Sequence, residues 1–155
     1  MVLKGRHRAT IEGDFVVFLI GMRVNKPWKL AKWGPVAIAM PRMLRYLEQH
    51  PEKGLLGFRQ GFPFIVQYWR SFDHLERFAR DEDDPHLEPW RRFRKAVGDA
   101  GDVGIWHETY QVRAGEFEAI YVNMPQTMLG AAGDLEPVGS ASRARDRIGY
   151  AEILK

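Results

Sequence analysis

Residues 64–90 read FIVQYWRSFDHLERFARDEDDPHLEPW, and this stretch decides the architecture. It opens with β-branched and aromatic residues, the composition of a strand. The strand pattern stops at Ser71, a residue type that caps helices by accepting a backbone N–H. Phe72, Leu75, Phe78 and Ala79 then recur at the spacing of one helix face. After an acidic break at residues 81–85, Leu87, Trp90, Phe93 and Val97 mark another helix face, with Pro89 suited to its first turn. A strand feeding directly into a helix gathers rings, the cation of Arg70 and the imidazole of His86 near one end of a small sheet.

Working outward, residues 54–60 (GLLGFRQ) make a second strand, joined to the first by a hairpin at residues 61–63. Before it lies a helical region ending near His50, with Met40, Met43, Leu44 and Leu47 on one face. Pro35 suits a first turn. Pro41 must either start a second helix or kink the first, because it removes a hydrogen bond. Residues 14–24 (DFVVFLIGMRV) read as a strand apolar on both faces, which is a strand covered on both sides. Downstream, residues 103–113 and 116–123 are strand candidates around Ala114-Gly115, a hairpin signal. Residues 1–13 read as a polar lead-in and residues 125–155 as a Gly/Ala/Arg-rich arm, leaving 14–124 as the domain.

The order β-α-β-β-α-α-β-β predicts an α+β fold with a ferredoxin-like antiparallel sheet and helices on one face. The other face would be apolar and open, and a two-fold pairing of identical chains is the commonest way to cover such a face.

Composition narrows the function. Of 155 residues, 45% are apolar and 28% charged, as in ordinary globular proteins. There is no cysteine, hence no thiolate chemistry or Cys-based metal site, and the expected setting is cytoplasmic. Basic residues gather in 1–34 and acids in 73–88, so opposite patches favour contacts within or between subunits over nucleic acid. The longest apolar run, residues 15–22, falls far short of the ~20 that span a bilayer. No two histidines stand at helical ligand spacing, so no metal site is expected.

The strand end FLIGMRVN (residues 18–25), the YWRS turn (68–71) and the pattern of Leu75, Phe78, His86 and Trp90 resemble the dimeric α+β barrel superfamily. Within it, the chain is similar to the antibiotic biosynthesis monooxygenases and to a monooxygenase-like family that includes an enzyme of fumagillin biosynthesis. The resemblance covers about residues 14–124. It implies a homodimer packed sheet against sheet, with a pocket between sheet and helices in each subunit. It also implies oxidation of an apolar, often aromatic small molecule, either without a cofactor or with haem held by a helix histidine. Asn25, Trp69 and His86 correspond to the asparagine, tryptophan and histidine of such sites.

His86 is thus a candidate acid, base or haem ligand; its competing reading is a solvated helix-start residue. His107 alternates with Val103, Ile105 and Thr109 and either faces a pocket or packs in the core. Tyr68, Tyr110 and Tyr121 offer hydrogen bonds to a substrate oxygen, and Arg23 or Arg70 offers charge to a developing oxyanion. Phe72, Phe78, Trp90 and Trp106 are candidate pocket walls, although rings at alternating spacing also build plain cores. A haem-binding protein and a non-catalytic dimeric binder remain the alternatives to a monooxygenase-like enzyme.

Overall fold

A computed structural model describes residues 1–61, 63–81, 91, 98, 100–140 and 143–148. The helix expected around Leu87, Trp90, Phe93 and Val97 lies outside them, as does His86. The elements are β1 (Val2–Thr10), β2 (Phe15–Val24), α1 (Leu30–Gln49), β3 (Leu55–Gln60), β4 (Phe64–Trp69), α2 (Phe72–Arg80), β5 (Val103–Val112), β6 (Ile120–Pro125), a helical turn at Leu129–Ala132, and β7 (Asp134–Pro137).

Strands β2 to β5 with α1 and α2 make the βαββαβ unit. Its sheet runs in the order β3-β4-β2-β5, antiparallel throughout. This is the ferredoxin-like order that the sequence predicts. Helix α2 starts where Ser71 accepts the His74 N–H at 3.3 Å, a cap worth ~1 kcal/mol. Asp73 in its first turn and Arg77 and Arg80 in its last oppose the helix dipole. Its Leu75 and Phe78 bury against Trp69, Val16 and Leu47.

Helix α1 is continuous. Pro35 falls within it rather than in its first turn, and Pro41 is interior, neither starting a second helix nor ending the first. The helix is held by packing: Leu44 and Leu47 are each 1% exposed, and burying a leucine stabilises by ~2 kcal/mol.

The remaining strands correct the sequence reading. Residues 2–10, expected as a polar lead-in, form the centre of a second sheet, β6-β1-β7. Residues 120–125 do not form a hairpin with β5. They pair with β1, His7 lying opposite Tyr121. The reason is packing rather than a lack of free edge, since β5 pairs with β2 on one side only. Phe117 meets Phe15 edge-on at 5.1 Å, drawing the connecting segment across to the second sheet.

The two faces of β2 therefore have different covers. Val16, Phe18 and Ile20 face the helices. Phe15, Val17 and Leu19 face the chain's own second layer, with Val66, Tyr68, Ala9 and Leu129. That layer stops short of the far end, where Phe64 and Trp106, both opposite Gly21, remain exposed. Among the described residues no helix is long and apolar enough to cross a membrane.

Candidate functional site

Between the helix-covered face and α1 and α2 lie two adjoining hollows that share Ile20 and Met40 as walls. The first, about 130 Å³, runs along β2, β4 and α1 past Met22, Val36, Ala37, Pro41 and Ile65. Pro41 has no N–H to return to the Ala37 carbonyl, and both residues line this wall. The second, about 80 Å³, is floored by Trp69 and bounded by Phe18, Met43, Leu75 and Phe78. A cavity of ~150 Å³ admits benzene; the first hollow approaches that size, the second adjoins it, and both have apolar walls.

Gln67 is the polar exception. It is 2% exposed, lines the second hollow, and lies between Phe18 and Phe58 on the neighbouring strands. The Trp69 Nε1–H donates to its Oε1 at 2.9 Å. Sequence reasoning passed over it, although the signal was there: a lone amide alternates with Ile65 and Trp69 in an apolar strand.

The candidate residues divide into four groups. Trp69 and Phe78 meet in the second hollow, ring centroids 5.7 Å apart. His107 lies on the same sheet face, opposite Ile20, with its ring 5.6 Å from Phe18. Asn25 and Arg23 stand at the end of β2, where the Asn25 amide donates to the Gly101 carbonyl at 3.0 Å. There the buried Asp102 carboxylate receives Lys26 at 2.7 Å and Lys29 at 2.8 Å, and these hydrogen bonds hold its pKa below the usual carboxylate range.

The third group is on the opposite face. Tyr68 packs among Ala9, Val66 and Leu129; burial, and then the neighbouring Tyr121, push its pKa up to about 12, against a hydrogen bond from the Leu129 backbone. The Tyr121 hydroxyl accepts the Gly130 N–H at 3.1 Å. Trp106 and Tyr110 lie on that face too, Trp106 with its ring 6.1 Å from Phe64. The Tyr110 hydroxyl donates to Glu108 at 2.7 Å, which raises its pKa. Last, Phe72 is exposed beside Arg70 and Ser71, away from both hollows. His86 and Trp90 lie outside the described residues.

The family model for monooxygenase af470-like proteins matches residues 15–129, from the start of β2 to the helical turn. The chain belongs to the monooxygenase af470-like family. A curated relative, monooxygenase af470 of Aspergillus fumigatus, is 26% identical over 133 residues, covering 77% of this chain and 46% of the relative. The chain thus spans under half the length of that protein. A solved structure, an aldoxime dehydratase in complex with butyraldoxime, superposes with a TM-score of 0.64 at 18% identity, over 84% of this chain and 39% of that one. This likeness shows the fold, that of the dimeric α+β barrels. The hollows under α1 and α2 lie within the span that the family model matches.

Proposed function

We propose that the chain is a monooxygenase-like oxidoreductase that takes an apolar, aromatic small molecule into the cleft between sheet and helices. One observation carries this reading: the cleft is walled by Ile20, Met40, Met43, Trp69 and Phe78, with one buried amide among them, in a chain of the monooxygenase af470-like family. Such walls strip water from a bound ring, so an electron-rich anion formed there is destabilised relative to solution and reacts more readily with oxygen. His107, exposed on β5 with its ring 5.6 Å from Phe18, is the imidazole we assign to accept a phenolic or enolic proton. Trp69 and Phe78 hold the ring in register.

Haem does not fit the cleft as the described residues form it. Neither hollow exceeds the ~150 Å³ that admits one benzene, whereas haem is a plane of four pyrroles, and His107 carries Phe18 against its ring. The partner we propose is a second copy of the chain. The support is the exposed far end of that sheet face, where Phe64 and Trp106 lie.

The test is oxygen uptake by the purified chain with 1-naphthol or anthrone. Substrate-dependent uptake, reduced at least tenfold in Trp69→Ala, is expected. Saturable binding of these compounds without uptake would make the chain a non-catalytic binder.

A further inference from the structure

We infer that Gln67 is the specificity residue of this cleft, and that the ligand it selects is an aromatic molecule bearing a hydrogen-bond-accepting oxygen on or beside its ring. This inference rests on the cleft reading above and adds the chemistry of the ligand.

Indole Nε1–H donates and never accepts, so the atom of Gln67 facing Trp69 must be the carbonyl oxygen. The amide orientation, ordinarily ambiguous, is thereby fixed. With Oε1 turned to Trp69, what the side chain has left to offer is its pair of N–H donors. Among the described residues lining the second hollow, the others are Phe18, Ile20, Met40, Met43, Trp69, Leu75, Phe78 and Ala79, which present no second acceptor or charge. Burying an amide among such walls is costly unless its polar atoms are used. Gln67 is also central in the sheet, flanked by Phe18 and Phe58, and only 2% exposed. A ligand that brings an oxygen to this amide satisfies it; one that brings only carbon leaves it desolvated and unpaired. Sites of this kind reject the analogue lacking the polar atom more strongly than they attract the one possessing it. Trp69 is then a positioning residue, since its indole orients the amide.

The experiment compares acetophenone with α-methylstyrene, which replaces C=O by C=CH2 at nearly the same shape. Binding to the full chain is measured by calorimetry and by shifts of the Gln67 side-chain amide resonances. Acetophenone is expected to bind tighter by roughly tenfold, and it alone should move the amide resonances. Gln67→Met should abolish the preference while keeping α-methylstyrene affinity. Trp69→Phe should reduce the preference, because the amide loses the bond that orients it. Equal affinity of the unaltered chain for both ligands, with no amide shift, overturns the inference and leaves the cleft reading standing. If neither ligand binds at all, the cleft reading fails and this inference falls with it. The ligand comparison and the resonances need no variant, so a Gln67→Met chain that fails to fold does not blunt the test.

Discussion

The indole ring of Trp106 lies directly across Gly21, so that a Cβ built on Gly21 would stand 2.5 Å from the ring. Gly21 also lines the first hollow, which ties the ligand side of β2 to its opposite face. Gly21→Ala should therefore displace Trp106 and destabilise the chain by ~1–3 kcal/mol, the usual cost of overpacking. In Gly21→Ala/Trp106→Ala the two changes should couple, the double variant losing less than the sum. Denaturant unfolding of all four proteins checks this.

Trp106 further predicts the state of assembly. Together with Phe64 it leaves rings exposed where the second sheet ends. Trp106→Glu should turn a dimer into monomers in sedimentation experiments, because a charge cannot be buried there without a partner. A chain that sediments as a monomer before any substitution would remove the proposed homodimer.

Much of this architecture was legible in local pattern. Residues 64–80 carry a strand, a cap at Ser71 and a helix stripe at Leu75 and Phe78, and each is where the periodicity places it. The doubly apolar β2 signalled two covering layers. What local pattern does not carry is which distant segment supplies the second one. In β1, Arg6, His7 and Arg8 follow one another and Ala9 alone is buried, so nothing in its spacing betrays a strand. Its pairing of His7 with Tyr121 and Pro137 joins opposite ends of the chain. For the same reason the tyrosines misled. Tyr68 and Tyr121 look like substrate donors in sequence, yet they meet one another between the two sheets. Gln67, the amide lining the second hollow, reads in sequence as an ordinary polar residue.

Tyr68 makes the inter-sheet packing sensitive to alkali. Its ordinary pKa of 10.0 is raised to about 12 in the folded chain. A group whose folded pKa is raised contributes stability that is whole below its unfolded pKa and lost as pH rises through the folded one. Stability should thus fall between pH 10 and pH 12, by at most ~3 kcal/mol at ~1.4 kcal/mol per unit. Tyr68→Phe should flatten that part of the pH profile in chemical unfolding.

Asp102 works in the opposite direction. It clamps the end of β2 to the start of β5, taking Lys26 and Lys29 on its carboxylate and the Asn25 and Lys26 N–H groups on its carbonyl. Its folded pKa is depressed below 3.8. The stability it adds is therefore present above that value and lost as pH falls through the lower folded one. Asp102→Asn should be less stable at neutral pH, where two ammonium groups would face an uncharged amide, and its acid unfolding should show a shallower dependence in that window. Acid titration followed by circular dichroism measures both.

The C-terminal segment gives the last test. A Cβ on Gly133 would fall inside contact distance of the Thr10 carbonyl oxygen, which is backbone and cannot turn aside. On the other side of the same turn, a Cβ on Gly57 would meet the Cα of Ala132 at 3.1 Å. The turn at Leu129–Ala132 is thus wedged between β1 and β3, with Leu129 buried beside Tyr68. Gly133→Ala should lower stability by ~1–3 kcal/mol, while Gly139→Ala, whose Cβ would meet nothing within 4 Å, should cost only the strain of its φ of +58°, ~1 kcal/mol. Equal losses in the two variants, read from thermal unfolding midpoints, would mean that the segment does not dock on the sheet in this way.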